Sequence, residues 1–258
     1  MNANNKNKIP SKLKRVGRPI VGVLEEVAMR PPMAQAIGLV CRNAVRIHGY
    51  HIHTDGLTPK VKAALFWGFY EAAELAFVQR HLLADLDVVE LGTSIGVVAC
   101  HALSRMNPLK RLICLEADPN LARMARQNLR SNHPTRRVEV LNCAIAYDCQ
   151  TVCFEEGGTN LIGKVSKEGR EVPAITLSGL LQKFHIDDYV LICDIEGAEA
   201  EILHKDPEAL AYCRQMIIEL HDGPTGSSHE LVELLMRRFR FSVSEQYHPV
   251  YAMRCADR

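Results

Sequence analysis

The stretch that most constrains this chain is Val88-Val89-Glu90-Leu91-Gly92-Thr93-Ser94-Ile95-Gly96-Val97-Val98-Ala99. A β-rich run from Asp87 to Leu91 ends on an acid and a glycine turn, and passes without a break into an apolar helical run. That order reads as strand, tight turn and helix N-terminus. Gly92 can take backbone angles that a side chain forbids, and Gly96 lets backbone lie close to a ligand or to the sheet. The helix that begins near Ile95 aims N–H groups and a partial positive charge at the turn.

The spacing narrows what sits there. A dinucleotide fingerprint has G-x-G-x-x-G after the strand. This chain has Gly92-x-x-x-Gly96, no third glycine, and the acid Glu90 two residues before the first. A carboxylate at that place repels a pyrophosphate and suits a ligand with an amine or a sulfonium. The pattern favours S-adenosylmethionine over NAD. A plain strand-to-helix turn without a ligand is the competing structural reading.

The 258 residues fit one large α/β domain with an appendage, and a hydrophobic content of 47% supports a sizeable core. The net charge of +1 hides an asymmetry: residues 1–50 hold nine Lys/Arg against two acids, so the remainder is acidic. An acidic body without a basic groove argues against nucleic acid as a partner. No run is long and apolar enough for a membrane span, and the N-terminus lacks the apolar core of a signal peptide. The nine cysteines form no CxxC pair and fall mostly in apolar runs. They read as reduced thiols of a cytoplasmic protein.

Residues 1–18 are Asn/Lys-rich and aperiodic, and read as a loose basic arm. Residues 1–50 are expected to form that arm and a helical extension, and residues 51–258 the main domain. From Pro31-Pro32, apolar residues at Met33, Ala36, Ile37, Val40, Ala44 and Ile47 have helical spacing. Such a helix can pack on its own core, cap a cleft or pair with another subunit. Tyr50 to His53 is a short strand candidate; His51 and His53 share a face, without a third metal ligand nearby. Thr58-Pro59 starts a helix expected to run from Val61 to Leu82, loosened at Gly68.

Beyond the opening motif, Arg111 to Leu115 is a second strand, tipped by Glu116-Ala117-Asp118-Pro119. Asp118 and Pro119 suit the start of the next helix, which leaves Glu116 at the strand tip, placed to take both hydroxyls of a ribose. Val138 to Asn142 is a third strand. Residues 150–174 read as a hairpin excursion, Ala174 to Phe184 as a helix, Asp188 to Asp194 as a buried strand, and Ala198 to Leu203 as a helix start. Arg214 to His221 is a strand, Ser227 to Arg238 a helix, and Phe239–Ser244 with Val250–Met253 a closing antiparallel pair. Alternating strands and helices imply a mostly parallel, doubly wound sheet.

Ligands of such sheets bind outside the carboxyl ends of the strands. Those ends carry Glu90, Glu116, Asn142, Asp194-Ile195-Glu196-Gly197 and Glu219-Leu220-His221-Asp222. Charges rarely enter the last turns of buried strands by accident. In extended chain Asp194 and Glu196 point the same way, as do Glu219 and His221.

With these residues in view, the chain resembles the FkbM-type S-adenosylmethionine-dependent methyltransferases. The resemblance rests on Val88–Gly96, Leu115-Glu116-Ala117-Asp118, the segment Asp194-Ile195-Glu196-Gly197-Ala198-Glu199, the pair Tyr70-Glu71, and Ala174-Ile175-Thr176-Leu177. It covers roughly residues 50–222. The family commonly has Asp-x-Gly-Ala-Asn-x-Gly at the turn, where this chain has Glu90 for Asp and Thr93-Ser94 for Ala-Asn.

The resemblance implies a class I methyltransferase fold, Rossmann-like with a mostly parallel doubly wound sheet, to which the residues outside it add an antiparallel C-terminal edge and an N-terminal helical extension. It implies S-adenosylmethionine as cofactor and a hydroxyl of a small molecule or glycan as acceptor, in secondary-metabolite or polysaccharide biosynthesis. In this reading Glu90, Gly92, Thr93, Ser94 and Gly96 hold the donor's methionine part. Glu116 and Ala117 hold the ribose, Asn142 to Ala144 flank the adenine, and Asp194 lies beside the transferred methyl. Tyr70, Glu71 and Glu196 contact the acceptor. His221 is the first choice of general base, with Asp194 and Glu219 beside it. A divalent ion such as magnesium held by Asp194 with Glu219 or His221 is the less favoured alternative, so no metal ligand is assigned. The rival readings are an NAD(P)-dependent oxidoreductase and an inactive methyltransferase-like binding protein.

Overall fold

In the computed structural model the residues described are 30–156, 163–166, 169–195, 197–223 and 226–256, with the side chains of 154–156 and 163–166 excepted. The basic arm, Glu196 and the Gly157-Gly158 pair lie outside them. The chain divides into two compact units, Met1–Tyr70 and Glu71–Arg258.

The first unit holds α1 (Pro31–Cys41), β1 (Ala44–Ile47), β2 (Tyr50–His53) and α2 (Pro59–Trp67). The helix expected through Ile47 stops at Cys41, and Ala44–Ile47 is a strand paired antiparallel with Tyr50–His53. Apolar residues at 44 and 47 fit a helical stripe, but Val45 and Ile47 also alternate with exposed Arg46, and the two-residue period prevails. The helix expected from Val61 to Leu82 is likewise two helices. Thr58 caps the first by accepting from the Val61 amide, and Gly68, at φ 71°, returns its N–H to Ala64 and Leu65 and ends it. A left-handed glycine is the common way to satisfy the last carbonyls of a helix.

The second unit is the class I methyltransferase architecture, built on a seven-stranded sheet. Its strands are β3 (Asp87–Leu91), β4 (Leu112–Glu116), β5 (Val138–Asn142), β10 (Tyr189–Cys193), β11 (Cys213–Glu219), β12 (Phe241–Tyr247) and β13 (Val250–Cys255). The spatial order is β12-β13-β11-β10-β3-β4-β5, with the first five in chain order parallel and β13 antiparallel to both neighbours. β3 and β10 are buried nearly throughout, as strands covered on both faces must be. The chain winds outward from β3 through β4 to β5, then returns to β10 on the other side. The winding therefore reverses between β3 and β10, where Leu91 pairs with Cys193. In open α/β sheets the ligand crevice lies at that reversal.

Helices α3 (Ala72–His81), α4 (Val97–Arg105), α5 (Pro119–Asn132), α6 (Leu177–Phe184), α7 (Glu199–Lys205), α8 (Pro207–Leu210) and α9 (Ser228–Arg238) complete the unit. A second sheet, β6 (Ala144–Ile145), β9 (Arg170–Ile175), β7 (Thr151–Glu156) and β8 (Gly163–Ser166) in that order, is the expected excursion. It takes residues 174 and 175 from the helix expected at Ala174. That helix begins at Leu177, because the Thr176 hydroxyl caps it by accepting from the Gly179 amide. A large apolar cluster fixes the sheet. Leu191, Met216, Leu180 and Leu203 are at most 1% exposed within it, each worth about 1.5–3 kcal/mol of burial. No helix among the described residues is long and apolar enough to cross a membrane.

Candidate active site

The glycine turn after β3 is tightly built. Gly92 (φ 80°) and Gly96 (φ 82°) both sit in the left-handed region. A Cβ on Gly92 would lie 1.8 Å from the carbonyl oxygen of Asp194, and one on Gly96 would press on the Ala125 backbone at 3.3 Å. Both glycines are thus required by close backbone approach. The amides of Gly92 and Thr93 donate to the Leu115 carbonyl, and that of Gly96 to Thr93. α4 opens at Val97, two residues later than the sequence reading placed it.

Two acids serve this turn. Glu90, 2% exposed, accepts from the Thr93 hydroxyl and the Cys114 thiol, and burial pushes its pKa up to about 7. Glu116 stands at the β4 tip but is not free. One oxygen accepts from the Ser94 amide at 2.7 Å and the other from the Asp118 amide at 2.9 Å, while burial raises it to about 7. Asp118 caps α5 through the Asn120 and Leu121 amides, as expected. Each Glu116 oxygen has a second lone pair, so a pair of ribose hydroxyls can still be accepted. Asn142 ties the neighbouring tips together by donating to the carbonyls of Glu116 and Ala117. Ala144 is buried in β6.

Across the crevice, the tips of β10 and β11 carry a cluster centred on His221. Its Nδ1 lies 3.2 Å from Oε1 of Glu199. A carboxylate accepts, so Nδ1 donates, and Nε2 is left facing Glu219 Oε1 at 3.6 Å and Asp194 Oδ1 at 3.9 Å. Glu199 is 1% exposed, and its Oε1 also accepts from the amides of Ile195 and Gly197. One carboxylate therefore shapes the loop after β10 and orients the imidazole. Glu74 of α3, 7% exposed, comes to the same place. Its carboxyl is raised to about 8, by burial first and then by its bond to Glu219 and the charge of Asp194.

The structure thus brings together Asp194, Glu219 and His221 as expected, and adds Glu199 and Glu74. Sequence reasoning placed Glu199 only within a motif, and Glu74 nowhere. The signal for Glu74 was an acid set among Ala72, Ala73, Leu75, Ala76 and Phe77. Tyr70 closes the first unit. Glu71 precedes α3 at φ 48°, and in that segment it is Glu74 whose carboxyl joins the cluster.

The profile of the Methyltransferase FkbM domain matches residues 90–243, more than half of the chain. The chain belongs to the FkbM methyltransferase domain family. The match begins at Glu90 and takes in the turn, Glu116, Asp194, Glu199 and His221, so both sides of the crevice lie inside the FkbM domain. S-adenosylmethionine is its methyl donor, and the carboxylates at the turn and crevice fit a ligand with ribose hydroxyls and a sulfonium. No curated protein matches the chain. Among solved structures it is similar to a precorrin-6y C5,15-methyltransferase from Geobacter metallireducens, at 17% identity, over 71% of this chain and 85% of that one, with a TM-score of 0.43. It is also similar to a ribosomal protein L11 methylase from Lactobacillus delbrueckii subsp. bulgaricus, at 12% identity, over 73% and 79%, with a TM-score of 0.43. Likenesses at this level identify no acceptor.

Proposed function

We propose that this FkbM-domain protein transfers a methyl group from S-adenosylmethionine to a hydroxyl oxygen of a small molecule or glycan. The observation that carries the reading is the seating of Gly92 on the Asp194 carbonyl, which makes the donor turn and the His221 cluster one site. The donor supplies a methyl on a sulfonium, already a good leaving group, so positioning supplies much of the acceleration. An alcohol must also lose its proton. His221, held by Glu199 with Nε2 toward the crevice, takes it, and Asp194 and Glu219 stabilise the imidazolium that forms. Glu116 and the turn hold the ribose and methionine parts, and Asn142 to Ala144 the adenine side. Tyr70, Glu71 and Glu196 are kept as acceptor contacts.

The crowd of carboxyls supports a neutral, hydroxyl-bearing acceptor and disfavours one lined with phosphates. The free cysteines support a cytoplasmic location. Exposed Leu39 and Val40 on α1 support pairing of two copies through that helix, which light scattering would detect.

The test is thermal unfolding with S-adenosylhomocysteine, NAD and NADP, followed by labelled-methyl transfer to a panel of polyols, sugars and phenols. A ligand at 100 times its Kd contributes about 2.7 kcal/mol, which a melting curve resolves. S-adenosylhomocysteine should stabilise the chain and the label should appear as a methyl ether. Stabilisation by NAD alone, or label only on nitrogen, overturns the proposal.

A further inference from the structure

We infer that Asp194, Glu199 and His221 form a binding site for a divalent cation, at the acceptor side of the crevice. The inference rests on the proposed function only for the cation's use, not for its binding. Each of the three residues brings a ligand atom to within 4.8 Å of the other two. They arrive from three elements: the loop after β10, the first turn of α7, and the segment after β11. Asp194 and Glu199 share one short segment, and the sheet brings His221 to them.

A second observation points to an absent positive charge. Oε1 of Glu199 serves two amides and the imidazole, while its Oε2, on a side chain 0% exposed, has no hydrogen-bond partner among the described residues. A carboxylate oxygen shut away from water without a partner is costly, and buried charges are ordinarily paired or bound to metal. Asp194, Glu199 and Glu219 all lie within 4 Å of one imidazole, at 3.9, 3.2 and 3.6 Å. A divalent cation beside these groups offsets the charge of the gathered carboxylates.

The geometry and chemistry agree. Two ligands about 2.1 Å from one cation stand roughly 3 to 4.2 Å apart, and His221 Nε2, turned away from Glu199, lies 3.9 Å from Asp194 Oδ1. Two carboxylates and one imidazole without a thiolate suit manganese(II), the imidazole disfavouring magnesium. Three protein ligands leave half of an octahedral shell for water and the acceptor oxygen. The bound cation lowers the acceptor's pKa. The acceptor O–H bond then breaks with its proton passing to Glu219, and the oxygen's electron pair forms the new bond to the methyl carbon as the carbon–sulfur bond breaks. With the cation bound, His221 is a ligand, and Glu219 takes over from it the proton-accepting role proposed above.

The experiment uses the full chain, stripped with EDTA and dialysed, with neither donor nor acceptor present. Manganese(II) is titrated and the free ion followed by electron paramagnetic resonance, with magnesium as competitor. One tightly held ion per chain is expected. Asp194→Asn and His221→Gln should each weaken it at least tenfold, and Glu171→Gln, on an exposed strand position, should not. If a variant fails to fold, the spin-echo spectrum of manganese on the wild-type chain decides: coupling to one imidazole nitrogen is expected. Absence of that coupling, or equal binding to wild type and both variants, overturns the site. Binding of S-adenosylhomocysteine, measured in parallel, is unaffected by that failure, and its own loss would defeat the donor reading alone.

Discussion

The two sides of the crevice treat their acids differently. On the donor side, Glu90 and Glu116 are nearly buried, and hydrogen bonds from a hydroxyl, a thiol and two amides satisfy them. On the side proposed for the acceptor, Asp194, Glu199 and Glu219 crowd one imidazole, and Glu199 keeps an oxygen without a hydrogen bond among the described residues. The first arrangement builds a fixed turn. The second stores charge that a proton, a cation or a substrate relieves. Acids at strand ends are therefore two populations, one architectural and one chemical, separated by what the backbone offers them.

The largest effect that could break this contrast concerns their point of contact. Gly92→Ala places a methyl group where the Asp194 carbonyl already is, at a φ that alanine resists. It should cost about 4 kcal/mol or more by urea unfolding and abolish donor binding. A loss below about 1 kcal/mol would show that the turn and the Asp194 loop are not locked together. Next comes His221→Ala, which should lower turnover by about 10²–10⁴-fold with unchanged affinity for S-adenosylhomocysteine. Loss of donor affinity instead would move His221 to the architectural population.

Glu116→Ala should weaken the donor by about 1.5–3 kcal/mol in calorimetry if its remaining lone pairs hold the ribose. Unchanged affinity would confine Glu116 to the turn. The smallest effect sharpens the donor side through pH. The carboxyl of Glu90 titrates near 7 in the fold against an ordinary 4.5, so the folded state holds its proton longer. The contribution to stability is full below about pH 4.5, falls as pH rises toward 7, and is flat above. Glu90→Gln should flatten that fall in urea midpoints measured from pH 4.5 to 8. Glu116, shifted the same way, should leave part of the slope.

Much of the donor side was legible in the chain because its information is local. Glycine spacing, the acid before the turn and Glu116 at the next strand tip are all fixed by neighbours in sequence. The sheet was legible for the same reason, since strands alternate with helices. What the sequence left ambiguous had two compatible periods, as at Ala44–Ile47, or a break that only backbone angles reveal, as at Gly68. Glu116 was expected to stand free, and of the two amides that hold it one is that of Asp118 nearby and the other, that of Ser94, comes from a turn 22 residues earlier. Glu74 and Glu199 joined the cluster through folding, from α3 and α7, and no spacing rule connects residues 74, 199 and 221.

Glu199 also bears on how an acceptor preference can change. Its carboxylate holds the Ile195 and Gly197 amides and the His221 ring at once. The loop after β10 and the segment after β11 are therefore joined through one side chain, and replacing either alone disturbs the other. Changes of acceptor are best sought outward, on segments that frame the cluster without touching that carboxylate. Engineering for a new acceptor is best begun on those segments, with residues 194–199 and 219–221 carried as one piece.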